Sequence, residues 1–196
     1  AALKAQVAGY AAENFTVTEV LTDKEGGVLA CKTQLENDFR GLKVHEVASA
    51  DIAERKIRTI EERARCVLHS LPFTLAVSFI SYLLSHCVFT TNLMLSKSSY
   101  CNHSRSPREM FTGYPVDFNV DVRAAFGDYV TDYPPGKLLS NDMGSRSDDL
   151  IALGSTGRRS GAIHVYNINT SGFSTRETFH VHPTPPLVIE HMNTKA

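Results

Sequence analysis

The chain lacks a strong net charge, a paired cysteine motif and any charged residue between Leu71 and Leu95. A formal net charge of −1 over 196 residues excludes a general electrostatic attraction to nucleic acid, so a basic binding face has to be local. The basic stretches are modest, with a net +1 over residues 51–68 and a net +2 over each of residues 69–113 and 151–196. The hydrophobic content of 42% is sufficient for a core, in one domain or in one domain with a small partner domain.

The four cysteines are spaced 35, 21 and 14 positions apart and form no C-x-x-C pair: Cys31, Cys66, Cys87 and Cys101. This spacing favours reduced, partly buried thiols over zinc or disulfide use. No signal peptide opens the sequence, and the expected location is nuclear or cytoplasmic. His180 and His182 alternate on a predicted strand but have no evident third metal ligand, which favours a structural role.

The charge-free stretch Leu71–Leu95 is long enough for a membrane span to be considered. Its polar residues and the lack of one-sided basic flanks favour a buried amphipathic helix, predicted over Phe73–Met94 after Pro72. We therefore expect no membrane association, and a membrane anchor is the alternative.

Hydrophobic periodicity predicts helices over residues 1–14, 28–39, 49–70 and 73–94, and strands over residues 17–22 and 42–47. Ser106-Pro107-Arg108-Glu109 has the pattern of a helix-capping box. From Tyr114 onward, short β-rich runs between turn residues predict a small antiparallel barrel or sheet. The fold class is α/β, and the predicted division is residues 1–113, 114–184 and a tail over 185–196.

Two carboxylates have the positions of a magnesium site. Asp23 ends the β-branched run Val17–Thr22, and Glu54 follows in the first turns of a predicted helix, with 30 residues between them. Parallel strands with helical crossovers place ligands at the carboxyl ends of the strands, where Asp23 lies. Carboxylate oxygens suit Mg²⁺, and two such ions can hold the attacking and leaving oxygens of a phosphodiester.

Basic residues accompany Glu54 on the same helix: Arg55, Lys56 and Arg58. They are candidates for contacts with DNA phosphates, and an ordinary solvated helix surface is the alternative. Glu54 itself could instead pair with Arg58 at i, i+4 spacing. Arg158 and Arg159 lie between Gly154 and Gly161, where a hairpin turn is favoured over a phosphate loop because no helix is predicted to follow.

Three motifs in order resemble the integrase of copia-type long-terminal-repeat retrotransposons: Leu21-Thr22-Asp23-Lys24-Glu25-Gly26-Gly27, Ala53-Glu54-Arg55-Lys56-Ile57-Arg58-Thr59-Ile60 and Ser106-Pro107-Arg108-Glu109-Met110-Phe111-Thr112-Gly113. The later run Gly161-Ala162-Ile163-His164-Val165-Tyr166-Asn167 resembles the β segment that follows the core in those polyproteins. The resemblance implies a partial RNase H-like integrase core followed by a small SH3-like antiparallel β module. It also implies DNA as a partner, together with a second copy of the chain or the rest of the Pol polyprotein.

The resemblance further implies three carboxylates that bind two Mg²⁺ (or Mn²⁺) ions, with Asp23 as the second and Glu54 as the third. The only acidic residues before Asp23, Glu13 and Glu19, do not suit the first position, since one lies in a predicted helix and the other on the strand of Asp23. Val47-Ala48-Ser49-Ala50-Asp51 also replaces the Gly/Pro/His-rich loop of the family. We expect a truncated integrase that is inactive alone, and the alternative is a non-catalytic DNA-binding, protein-binding or oligomerisation module.

Overall fold

The computed structural model describes residues 2–22, 27, 30–47, 51–95, 104–133 and 147–195. The chain is mixed α/β, as expected, and divides into two compact units, Ala1–Thr59 and Ile60–Ala196. This division differs from the boundary expected at residue 113. The reason is that residues on both sides of position 113, such as Leu83 and Ile151, belong to one buried cluster.

The first unit contains a parallel strand pair. In chain order its elements are α1 (Ala2–Ala12), β1 (Glu19–Thr22), α2 (Lys32–Asp38) and β2 (Lys43–Glu46). The two strands pair in register from Glu19 with Lys43 to Thr22 with Glu46. A parallel pair needs a crossover connection, which contains α2. Leu35, Leu42 and Val44 form the buried core beneath the strands, and the strands predicted here are confirmed.

Helix α3 (Asp51–Ser70) runs from the first unit into the second. Every side chain described from residue 53 to residue 59 is exposed, including Ile57 at 56%. From Ile60 onward the apolar side chains of the helix pack against the protein. Ala64 belongs to the buried cluster that contains Leu83 and Ile151, and Ile60, Val67 and Leu68 pack against this cluster. The predicted helix is confirmed, and Ile57 is an apolar side chain that its first part leaves in solvent.

The next helix begins later than the sequence suggests. Residues 73–76 are not helical, a short 3₁₀ turn covers Val77–Phe79, and α4 covers Ile80–Leu93. The backbone N–H of Thr74 donates to Asn193 Oδ1 at 2.7 Å instead of entering a helical ladder. That bond and the burial of Phe73 hold the segment extended, which corrects the helix start predicted at Phe73.

Two short helices follow, α5 (Pro107–Thr112) and α6 (Phe118–Asp121). The capping box is confirmed, because Ser106 Oγ accepts from the Glu109 N–H and Glu109 accepts from the Ser106 N–H. Glu109 also accepts from the backbone N–H of Val116. These backbone hydrogen bonds, with that of Val116 first, lower the pKa of Glu109.

Among the described residues, the β part is a five-stranded antiparallel sheet. Its strands are β3 (Tyr129–Asp132), β4 (Asp148–Ser155), β5 (Ile163–Asn167), β6 (Gly172–Arg176) and β7 (His180–His182), in the order β6-β5-β4-β3-β7. Strands β6 and β7 are separated by residues 177–179, which belong to neither strand. The register of β4 against β5 shifts between Ala152 and Ser155, where Gly154 has a φ of +103°. This bulge bends β4.

Both faces of the central strand β4 are buried. Ile151 and Leu153 of β4 face a cluster shared with α3, α4 and the C-terminal helix, whereas Leu150 and Ala152 face a second cluster with Val130. Alternate residues of a strand point to opposite faces, so β4 separates the two cores.

An ion pair joins strands that are not neighbours in the sheet. Arg176 lies on β6 and Asp132 on β3, three strand spacings apart. Through the pairing of the strands, Arg176 is level with Ser155 of β4 and Asp132 is level with Asp148, seven residues away along β4. In a flat sheet the two residues would be separated by roughly 14 Å across the strands and roughly 23 Å along them. The observed Nε–Oδ2 distance is 3.1 Å, so the sheet is strongly curled.

The segment after Pro185 is helical. The expected tail over 185–196 instead contains α7 (Pro186–Thr194), which buries Val188 and Met192. Proline at the first helical position favours this start. Across the residues that the structure covers, none of the helices has the length and apolar content needed to cross a membrane.

Candidate functional site

The first candidate ligand, Asp23, follows β1 directly but lies outside the described residues. The strand pair extends to this edge, because the backbone N–H of Val47 donates to Thr22 O at 2.8 Å. Helix α3 begins four residues after Val47. The topology therefore brings the carboxyl ends of β1 and β2 together, at the edge of the sheet from which the chain leads to Glu54.

Glu54 is exposed on the second turn of α3. Where side chains are described, no ion pair joins it to Arg58, so the i, i+4 pairing considered for it is not formed. Further along this helix Arg65 pairs with Glu61, at 3.4 Å and with both side chains more than half exposed. The Glu54 carboxylate is thus open to solvent.

The three basic residues are exposed but do not share one side of the helix. At about 100° per residue, Arg58 lies about 40° and Arg55 about 100° from Glu54 around the helix axis. Lys56 lies about 100° beyond Arg55. Glu54, Arg58 and Arg55 therefore follow one another within about 100° of the helix circumference, and Lys56 projects from another side.

No group of three or more histidine, cysteine or acidic side chains converges among the residues with described positions. The carboxylate of Glu54 is nevertheless a suitable ligand, because a carboxylate that is open to solvent can bind a hard cation such as Mg²⁺. Cys31 and Cys66 are exposed free thiols and Cys87 is a buried one, while Cys101 lies outside the described residues. His182 contacts Thr131 Oγ1 through Nε2 at 2.9 Å, which is the structural role expected for it.

A second basic feature is the loop between β4 and β5, which the sequence marked only as a hairpin turn. The turn is confirmed, and both of its ends are held by arginines. Arg108 donates to Gly157 O at 2.7 Å, and Arg123 donates to Gly161 O at 3.2 Å. Arg158 and Arg159 are exposed at its tip.

Aromatic contacts organise this basic loop. The Arg159 guanidinium lies 4.2 Å from the ring centroid of Tyr114, and the Arg108 guanidinium lies 4.9 Å from that of Phe89. Arg108 is also paired with Asp121 at 3.1 Å, and both side chains are largely buried. The sequence signal was the Arg-Arg pair between glycines, but the partners that fix the loop are distant in sequence.

Comparison with known proteins gives little further information. No protein-family description and no curated protein matches the chain. A chain of the cryo-EM structure of the simian T-cell lymphotropic virus intasome in complex with PP2A regulatory subunit B56 gamma is similar to it, with 13% identity and a TM-score of 0.35. The similarity covers 94% of this chain and 66% of that chain. At these values it assigns neither a fold nor a function.

Proposed function

We propose that this chain takes part in DNA integration as part of a retrotransposon integrase of the copia type. The observation that carries the proposal is the exposed face of α3 that presents Glu54, Arg58 and Arg55, on the helix that follows the carboxyl end of β2 in the chain. Phosphate contacts from the two arginines hold DNA there, and Glu54 with Asp23 binds Mg²⁺ or Mn²⁺.

In this proposal residues 1–113 and residues 114–184 have separate evolutionary origins, although residues from both stretches pack together in the second compact unit. Residues 1–113 derive from an RNase H-like core, which the parallel pair β1–β2 with α2 in its crossover supports. Residues 114–184 derive from a small SH3-like module. Supporting this origin are the four-strand meander β3-β4-β5-β6, the return of β7 to pair with β3, and the contact of Arg176 with Asp132.

The sequence contains two of the three carboxylates that the resemblance implies, so we propose that this chain has no strand-transfer activity alone. Catalysis of phosphoryl transfer depends on holding the metal ions and the reacting oxygens in fixed positions. Two carboxylates are too few to hold two metal ions in this way. A metal-dependent transfer assay on the isolated chain should detect no product. The proposal would be contradicted if the wild-type chain formed strand-transfer product and the Asp23→Asn variant did not.

DNA binding through α3 is tested by the salt dependence of affinity. Anisotropy of a labelled duplex should give a log–log salt slope that becomes shallower by about 0.9 for each phosphate contact removed. We expect this change for Arg55→Ala and for Arg58→Ala, and a smaller change for Lys56→Ala because it lies on another face. Arg40→Ala, an exposed residue of the same unit, is the matched control. An unchanged slope in the Arg55→Ala/Arg58→Ala double variant would refute DNA binding by this face.

Metal binding is tested by paramagnetic broadening with Mn²⁺. Amide signals near Thr22 and Glu54 should broaden in the wild type and recover in Glu54→Gln. Glu62→Gln, an exposed glutamate on the same helix, should leave the broadening unchanged. Equal broadening in wild type and Glu54→Gln would remove Glu54 from the site.

A second function, oligomerisation without catalysis, is supported by the outer face of α4 and the turn before it. Leu84 and Val88 are about 40% exposed one helical turn apart, and Val77 is 85% exposed. An apolar side chain left in solvent favours association with a partner surface. Light scattering should show a dimer that Leu84→Glu dissociates, and a wild-type monomer would rule this function out.

A further inference from the structure

A cleft of about 320 Å³ lies within the second unit, between α4 and the strands β4 and β5. Tyr82, His86 and Phe89 line it from α4, and Ser155 and His164 line it from the strands. Its volume falls within the range of small-molecule sites in proteins. It belongs to a different unit from Glu54, and nothing in the proposed function uses it.

The polar groups in the walls of the cleft are uncharged serine, threonine and tyrosine hydroxyls and two histidines. Burial lowers the pKa of His86, and burial followed by the charge of Arg158 lowers the pKa of His164, which favours the neutral form of both imidazoles. A neutral imidazole offers one donor and one acceptor. Within the part of the chain that the structure describes, the side chains of Ser81, Tyr82 and His164 make no hydrogen bond to protein. These groups are therefore open to a ligand that has hydrogen-bonding edges and no charge.

Aromatic rings border both ends of the cleft. At one end Tyr82 stacks on Phe173 with a centroid distance of 5.2 Å and an interplanar angle of 13°, and it also contacts His164 at 5.5 Å. At the other end Phe89 lies beneath Arg108. These contacts cover one face of each ring, and a planar heterocycle can pack against the ring surface that remains.

The rim of the cleft carries one arginine that is open to a ligand. The backbone N–H of Arg158 donates to Oγ1 of Thr156, a residue of the cleft wall, at 3.3 Å. Its side chain is exposed and forms no ion pair with any residue of described position. Arg108, by contrast, is already engaged by Asp121 and Gly157. An anionic group at the rim would therefore meet Arg158.

We propose that this cleft binds a nucleoside 5′-phosphate, with the base between the aromatic walls and the phosphate at Arg158. The uncharged donors and acceptors match the edge of a base, and the Arg158 guanidinium matches the phosphate. The ligand is either a free nucleotide or the terminal unit of a single strand. The two sources present the same chemistry to the cleft.

The test is an NMR titration of the full chain with 2′-deoxyadenosine 5′-monophosphate, to about 10 mM in view of the weak affinity expected of a small ligand. The amides of His86, Ser155 and His164 should shift. Arg158→Ala should weaken binding threefold to tenfold, roughly what an exposed charge-assisted hydrogen bond contributes. It should leave the weaker binding of deoxyadenosine, which has no phosphate, unchanged.

Arg159→Ala is the matched control, because this neighbouring arginine lies over Tyr114 instead of the cleft wall. It should retain wild-type affinity for the nucleotide. Ser81→Phe, at an exposed position of the cleft wall, should block nucleotide and nucleoside alike. If a 5′-phosphorylated hexanucleotide binds more tightly than the mononucleotide and depends on Arg158 in the same way, the ligand is the end of a single strand. If the two bind with equal affinity, the ligand is a free nucleotide.

The proposal is overturned if neither the nucleotide nor the hexanucleotide shifts these amides, or if Arg158→Ala and Arg159→Ala lose affinity equally. Duplex binding through α3 is measured separately, on variants of Arg55 and Arg58. Either result can therefore fail without the other.

Discussion

Neutralising Asp132 should destabilise the second unit far more than breaking a surface ion pair. The Asp132 side chain is 8% exposed and that of Arg176 is 19% exposed, and Asp132 also accepts from the hydroxyl of Thr178 at 3.1 Å. Arg176 Nε is not aligned for a hydrogen bond to Asp132, so their contact is one of charges. In Asp132→Asn the guanidinium stays largely buried, with the carboxylate of Asp148 at 3.7 Å as a remaining charged partner.

The size of the effect follows from this partial compensation. Removing one partner of a buried pair costs about 3–5 kcal/mol when the remaining charge is uncompensated. Because Asp148 remains, we expect about 2–3 kcal/mol for Asp132→Asn. For a unit of this length that corresponds to a decrease in Tm of roughly 10 °C. The measurement is thermal unfolding followed by circular dichroism.

Two further variants make the measurement decisive. Glu61→Gln removes the exposed pair with Arg65 and should change the free energy of unfolding by no more than about 0.5 kcal/mol. The double variant Asp132→Leu/Arg176→Met replaces the buried charges with apolar groups and should recover most of the loss. A decrease in Tm for Asp132→Asn no larger than that for Glu61→Gln would refute the argument that this pair holds the curled sheet together.

Two other predictions concern His86 and the glycines. Burial lowers the pKa of His86 in the folded state, so the unfolded chain binds the proton more readily. The contribution of neutral His86 to stability is therefore fully present above the unfolded pKa of about 6.5, and it is lost as the pH falls below that value. His86→Leu should flatten the dependence of Tm on pH between about 7 and 5, and an unchanged slope would exclude His86 as its source. Gly127→Ala should lower the unfolding free energy by more than about 1 kcal/mol, because φ is +90° and the new Cβ would lie 2.2 Å from Leu71 Cδ2. Gly9→Ala, inside α1 with open space around it, should instead raise it by about 0.5–1 kcal/mol, and equal effects of the two changes would contradict the steric argument.

Periodicity and capping chemistry predicted the local elements well. The strands at β1 and β2, helix α3 and the capping box at Ser106 all follow from signals within a few residues of one another. The start of α4 does not, because the backbone of Thr74 is held by Asn193, 119 positions away. Helix α7 could have been found, since Val188 and Met192 have i, i+4 spacing after a proline at the first helical position.

The candidate site was predictable only in part. Helical geometry alone separates Lys56 from Arg55 and Arg58, because their angles follow from the number of residues per turn. The support of the Arg158 loop by Arg108, over 49 positions, depends on tertiary contacts that no local pattern encodes. The same holds for the cleft, where His86 and His164 come from a helix and a strand on opposite sides of residue 113.

The position of β4 between two cores has a consequence for how this unit opens. Leu150 and Ala152 contribute to one apolar layer and Ile151 and Leu153 to the other, so none of these four side chains is available to solvent. Neither layer can separate without exposing this strand. Its amide protons should therefore exchange only through complete unfolding, and native-state hydrogen exchange should report the same opening free energy on both sides of β4.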